Sequence, residues 1–499
     1  MTSMPKLKNR TYNIDRLSTI PTMASAISKK ISQYKQQHQQ LVEESGLFFV
    51  DYISQMKELN QLKKNIAAYE KQIDIIVDYK TEHGKLPQIK GKKSASKYLM
   101  TLYTRSDHFT KRYQTIKESI IRKRTSRYEH LDKLADNMLD LLDSKRLFSQ
   151  FLGTIALSTP LPGEKVRCVR NEKFKPIYTA ALVVALFEEV RVNHDFVNPY
   201  LKEILDEIFG PGNDRHIPAE RMALHPELKI RYREEILKPI AKAALLQGIG
   251  SYSPEAEDIF SGDRYRQLDA EQRCELIESM QKKSIDYLKI GIGIPQLRFD
   301  TRTEQRDQIE YETEKLQFML SLLDNRPGKE TEIDDVLRIP SVYASFIVST
   351  KPDSDYDIIF KAYDIIEEGL ADSLYNAKFA RLFLAMVGKF PIGSGIYFFC
   401  KETNAIEKGI VSSLYPVYPD EPYCKQITRQ QIQSLSQYEV QVSPANNLYY
   451  DSVRAASDYD AEYFNLRYSD EFTWNANEFW EVQIPALTFW KKDGTIKRN

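Results

Sequence analysis

Apolar residues recur at helical spacing from the start of the chain. Between residues 22 and 80, Tyr52, Leu59, Leu62, Ile66, Tyr69, Ile73 and Ile76 follow mostly three- and four-residue steps, as a helix packed along one seam requires. A polar stretch with Gly, Pro and several lysines, 81–96 (TEHGKLPQIKGKKSAS), reads as a loop. The spacing resumes over 97–151 at Phe109, Tyr113, Ile116 and Ile120, then at Leu131, Leu134, Met138 and Leu141. The pattern predicts two long helices folded back as an antiparallel hairpin. Such a hairpin serves either as a dimerisation or docking arm or as ordinary intrachain packing.

The segment 158–165 (STPLPGEK) reads as a linker. The chain then reads mostly helical from Phe174 to about Gly388, with breaks at 210–213 and 291–295. After Pro391 the texture changes to short aromatic and β-branched runs, GIYFFC, GIVSSLYPVYP and QYEVQVS, which is strand chemistry. The expected fold is mainly α: a helical arm over 1–157, an all-helical body over 166–390, and a small β-rich, aromatic region over 391–499. All three tryptophans (Trp474, Trp480 and Trp490) sit in that last part, which therefore packs on its own body or on a partner.

At 499 residues, 42% hydrophobic and 28% charged, the composition is that of a folded multidomain protein. No apolar run approaches the roughly 18–20 residues of a membrane span, and the first residues carry no apolar signal core. Cys168, Cys274, Cys400 and Cys424 form no C-x-x-C pair, so a reduced, cytoplasmic protein is expected. Zero net charge hides an asymmetry: residues 1–150 hold 28 Lys/Arg against 16 Asp/Glu. A basic arm beside an acidic body suits an anionic partner or mutual attraction. The arm lacks an Arg-rich or aromatic-interleaved motif, so nucleic acid is not the expected partner.

Three segments carry a family resemblance. Residues 241–254 read AKAALLQGIGSYSP, 337–353 read LRIPSVYASFIVSTKPD, and 383–398 read FLAMVGKFPIGSGIYF, followed by KGIVSSLYPVYPDEP. In this order and spacing, residues 175–430 resemble the HD-GYP family, bacterial phosphodiesterases of cyclic di-GMP within the HD superfamily. Arg338, Ile339, Val342, Tyr343, Thr350 and Pro352 stand in register with the family's second motif. The resemblance implies a helical core in which His and Asp side chains hold two or three metal ions that generate hydroxide and polarise a phosphodiester.

The ligand positions carry other chemistry. The HD pair falls on Gln247 and Gly248, the following lysine on Ser251, and the first histidine near Tyr178. A later histidine falls near Met280, with Ser284 at a small-residue position. The signature H-H-E-x-x-D-G falls on 319–328, MLSLLDNRPG, where Met319, Leu320 and Ser321 replace ligands and Asp324, Pro327 and Gly328 remain. The last aspartate falls on Ser341. No histidine follows His225. Amides, thioethers and hydroxyls do not rebuild a hard-cation site, so no metal, no cofactor and no hydrolysis by the family mechanism are expected.

Alternatives are weaker. His194-Asp195 is a literal HD dipeptide but precedes the QG segment; with His216 and His225 its spacing is irregular for zinc. Gly291-Ile-Gly-Ile-Pro lacks the later Gly-Lys-Ser/Thr of a phosphate loop and is expected to end a helix and turn the chain. Lys351, ahead of Pro352, and Tyr343 stand where the family meets nucleotide, by charge and by stacking. The reading is a catalytically inactive HD-GYP-like module in a bacterial cell, acting through its arm and aromatic end, with homodimerisation open. The alternative is an effector that binds cyclic di-GMP without cleaving it.

Overall fold

The computed structural model describes residues 23–142, 144–159, 164–210, 225–296, 301–324, 332–401, 403–427, 435–468, 472–478 and 497–498. His216, Pro327, Gly328, Trp480 and Trp490 lie outside them. The fold is mainly α with a small, mostly antiparallel sheet towards the C-terminus.

Helices α1 (Met23–His83) and α2 (Ala95–Leu139) form the expected antiparallel pair. Ser94 caps α2, its hydroxyl accepting from the Lys97 amide, which satisfies one of the free N–H groups of the first turn. The register is fixed by side chains along the seam. Asn137 donates to Gln37 at 2.9 Å, His130 meets Glu44 at 2.9 Å, and Arg112 donates to Glu58 at 2.7 Å.

The two halves of this hairpin do different work. Ile27 to Phe49 of α1 and Leu131 to Leu139 of α2 belong to the main hydrophobic core, with Tyr52 and Tyr128 packed at its edge. Towards its tip the hairpin buries apolar residues within itself, around Ile73, Ile76 and Leu102, with Leu86 and Ile89 of the connecting loop. The 27 residues of α1 after Met56 extend for about 40 Å at helical rise. One continuous core therefore crosses the linker, and α3 (Lys145–Leu157) is almost wholly buried in it.

The body comprises α4 (Glu164–Asn193) and α5 (Pro199–Phe209), then α6 (Pro226–Tyr232), which runs through a π turn at Arg233–Leu237 into α7 (Lys238–Leu246). A 3₁₀ turn (Ile249–Tyr252) leads to α8 (Pro254–Phe260) and α9 (Ala270–Asp286), and a second π turn follows (Tyr287–Ile292). Next come α10 (Arg302–Leu323), α11 (Asp334–Ile347), α12 (Lys361–Ala371) and α13 (Ala377–Val387). Gly293 follows the π turn at φ +65°, a conformation that glycine adopts freely; the segment ends a helix and turns the chain.

Charges weld α2 to α7. Lys238 lies 3.0 Å from both Asp132 and Asp136, and Lys242 lies 2.6 Å from Asp132. Both lysines are nearly buried, so each depends on its carboxylates to offset lost hydration.

Strands β1 (Gly395–Cys400), β2 (Ala405–Val411), β3 (Tyr423–Ile427) and β4 (Leu435–Gln441) form an antiparallel meander. It is edged by β5 (Thr473–Trp474) on β1 and β6 (Lys497–Arg498) on β4. Three of these match the strand-like runs; β3, YCKQI, was not expected. The Trp474 indole donates to the carbonyls of Ile396 and Gly409 at 3.1 and 3.2 Å. Phe464 packs with Ile406 and Leu448 beneath Tyr463, Tyr468 and Phe472. The described part of the aromatic C-terminal region is thus packed on its own chain.

Candidate functional site

Helix α4 is apolar over most of its inner length, but Glu172, Lys175, Pro176 and Thr179 interrupt it at i, i+3, i+4 and i+7. That spacing puts all four on one face, and the face lines a cavity of about 390 Å³. Opposite it are Ala244 and Leu245 at the end of α7, then Gln247, Gly248, Ile249, Ser251 and Tyr252. Leu276 and Met280 of α9, Ser341 of α11, Thr350 and Lys351 beyond α11, and His38 of α1 complete the wall with Phe260, Arg264 and Tyr265.

The floor is held by a close contact. The Gly250 amide donates to Ser284 Oγ at 2.9 Å, and that hydroxyl donates to the Gln247 carbonyl at 3.2 Å. A Cβ on Gly250 would stand 2.0 Å from the Met280 carbonyl oxygen, so no larger residue allows the 3₁₀ turn to lie this close to α9. The small residue expected at Ser284 has this physical reason. Ser341 Oγ lies 2.7 Å from Gln247 Oε1.

The charged groups divide into committed and uncommitted ones. Glu172 accepts from Tyr265 Oη at 2.6 Å, Arg264 Nε at 3.0 Å and Tyr252 Oη at 3.2 Å. Burial first, and then Glu172, push both phenols up, so they stay protonated donors. Arg264 also donates to the Ser251 carbonyl at 2.9 Å and pairs with Glu257. Lys351 donates to the Arg266 carbonyl at 2.8 Å. Its segment is strapped to α4, where Arg167 donates to the Lys351 and Pro352 carbonyls at 3.0 and 2.8 Å and Asn171 to that of Ser349 at 2.7 Å. Lys175 makes no hydrogen bond or ion pair with any described residue. Burial, and then the Lys351 ammonium, push its ammonium down to about 8.

His38 Nε2–H donates to the Leu245 carbonyl at 3.2 Å. Burial, against this bond, pushes its pKa down to about 4, so the ring is a neutral donor near pH 7.

The structure therefore brings Gln247, Gly248, Ser251, Met280, Ser341 and Lys351 together around one space. It does not bring in Tyr343. That ring is buried against Phe383, centroids 5.2 Å apart, and does not line the cavity; it cannot stack on a ligand there. Tyr178, also fully buried, lies off the cavity wall. Met319, Leu320 and Ser321 sit on α10, with Met319 in the core and the Ser321 hydroxyl turned back to the Phe318 carbonyl at 2.8 Å. Asp324 caps the end of that helix.

His194 is structural in its contacts. Its Nε2 lies 2.7 Å from Glu332, whose carboxylate also accepts from the Val197 and Asn198 amides at 2.8 and 2.9 Å, ordering the start of α5. His225 meets Glu227 at the exposed start of α6. Among the described residues no group of three or more His, Cys, Asp or Glu could hold a metal ion.

Sequence reading missed His38, Glu172, Lys175, Arg264, Tyr252 and Tyr265. A usable signal existed for two of them, since Glu172 and Lys175 stand at the edge of the apolar run 174–187 and share a face with Thr179. His38 had none, because its helix belongs to the arm. No family model, no curated protein and no solved structure matches the chain.

Proposed function

We propose that this chain is a catalytically inactive, HD-GYP-like module of a bacterial cell that works by structural or regulatory protein interaction. One observation carries the reading. Gln247, Gly248, Ser251, Met280 and Ser341, separated by up to 94 residues, face one cavity, and all fall where the resemblance places a metal ligand or the catalytic lysine. The support comes from three separate segments, around Gln247, Met280 and Ser341; the other ligand positions, Tyr178 and Met319 to Ser321, do not line this cavity.

The donor set suits no divalent cation. An amide, hydroxyls and a thioether are poor ligands for the hard cations of phosphodiester hydrolysis. The lining carboxylate, Glu172, is engaged by Arg264 and two phenols. Two ammonium groups in the same space oppose cation entry further.

The interaction surface in this reading is the outer half of the α1–α2 hairpin. Residues 57–117 hold 14 Lys/Arg against 6 Asp/Glu and lie outside the main core. Among the described residues no helix is long and apolar enough to cross a membrane. The test is an assay of the full chain against cyclic di-GMP and bis(p-nitrophenyl) phosphate with added Mn²⁺. No turnover is expected; metal-dependent turnover abolished by changes at Gln247 and Ser341 would overturn the proposal.

A further inference from the structure

We propose that the cavity binds a small organic acid, a carboxylate or phosphate on an apolar body, held between the ammonium groups of Lys175 and Lys351. This rests on the reading that no metal centre occupies the cavity.

Charge gives the first argument. The described lining holds three fixed cations, Lys175, Lys351 and Arg264, and one carboxylate, Glu172. Arg264 and Glu172 cancel at 3.0 Å. Two ammonium groups remain in one half-open cavity; one donates only to a backbone carbonyl and the other has no partner among the described residues. Such a pair costs stability unless an anion joins it. The depressed Lys175 ammonium records that cost, and an anion between the two lysines would relieve both.

Positioning is the second argument. Lys351 is fixed by the bonds from Arg167 and Asn171 to its own segment, and Lys175 projects from within α4, half-buried, one residue before Pro176. Neither is a loose surface lysine. The remaining walls, Leu245, Ile249, Phe260, Leu276 and Met280, suit an apolar or aromatic body, and the volume lies within the range of small-molecule sites. Recognition by two ammonium groups, with Arg264 engaged elsewhere, matches one acidic group better than a polyphosphate.

The experiment titrates the full chain near pH 7 with 2-naphthoate, 2-naphthyl phosphate and neutral 2-naphthamide, followed by calorimetry. At least one acid should bind about tenfold or more tightly than the amide, and whichever acid wins assigns the class. Lys175→Met and Lys351→Met should each weaken that acid about tenfold while amide binding changes by less than about twofold. A variant that misfolds loses amide binding too and is recognised by that. The amide binding as tightly as both acids, or no acid binding at about 1 mM, overturns the proposal. Metal-dependent turnover is read in a different assay, so a failure of acid binding is told apart from a failure of the reading on which it rests.

Discussion

The Ser341 hydroxyl lies 2.7 Å from the side-chain oxygen of Gln247, joining two positions 94 residues apart on which the resemblance places metal ligands. The same oxygen is 2.7 Å from the Leu337 carbonyl, so one proton serves two acceptors. Where a metal centre would place charge, this chain places a neutral hydrogen-bonded pair. Ser341→Ala is expected to cost about 1 kcal/mol, with a coupling to Gln247→Ala of about 0.5–1 kcal/mol in a double-mutant cycle measured by urea unfolding. Independent, additive effects would show that the pair does not interact.

Two neighbouring glycines should behave in opposite ways. A Cβ at Gly250 meets backbone of α9, whereas nothing lies within 4 Å of one at Gly248. Gly250→Ala is expected to cost about 3 kcal/mol or more, because backbone cannot move aside cheaply. Gly248→Ala should fall within about 0.5–1 kcal/mol of the parent, on the stabilising side if anything. Equal unfolding midpoints would contradict the close contact between the 3₁₀ turn and α9.

His38 should make stability depend on mild acid. Its folded pKa of about 4 lies below the ordinary 6.5, so the unfolded chain binds the proton more readily. The contribution is complete above pH 6.5 and is lost as pH falls from there towards 4. The full amount is about 3 kcal/mol. Denaturant titrations of His38→Gln over this range should show a flatter pH profile than the parent; parallel profiles would locate the acid sensitivity elsewhere.

Lys175 should add a second rise of stability with pH, in the alkaline range. Its ammonium is held near 8 against an ordinary 10.5, so the folded state gives up the proton first and stability rises with pH between those values. Near neutral pH, Lys175→Met should therefore stabilise the protein by about 1–2 kcal/mol, a gain that shrinks as pH rises from about 8 and is gone above 10.5. Thermal melts across this range check it. A destabilised variant would mean that Lys175 has a compensating partner.

Removing the outer hairpin should leave the body folded. Replacing 57–117 with a short Gly-Ser turn joins positions already adjacent across the α1–α2 seam, because Arg112 pairs with Glu58 and Lys123 with Asp51. The melting temperature is expected to stay within about 3 °C of the parent. A collapse of the transition would show that the arm's outer half is part of the folding unit.

Much of this fold was legible because periodicity is local. The α1–α2 pair, the turn at Gly293 and three of the strands follow from steps of three, four or two residues. The inner half of the hairpin was less legible: Phe48, Phe49 and Leu131 satisfy a hairpin pattern whether they meet a partner helix or a larger core. For the site, motif positions located Gln247, Ser251, Met280, Ser341 and Lys351 but misplaced Tyr343. At about 100° per residue, Ser341 and Tyr343 point to nearly opposite sides of α11, so a ring two residues from a cavity wall faces the core. His38 and Lys175 enter through tertiary convergence, which sequence spacing does not encode.

Elemental analysis of the purified full chain, expressed with added Mn, Fe and Zn, tests the proposed absence of a metal centre most directly. Below about 0.1 metal ion per chain is expected. The cavity's carboxylate, Glu172, is engaged by Arg264 and two phenols, its imidazole, His38, donates to the Leu245 carbonyl, and the rest of the polar lining is amide, hydroxyl, thioether and ammonium. Two metal ions per chain, retained through gel filtration and lost on changing Gln247 or Ser341, would contradict it.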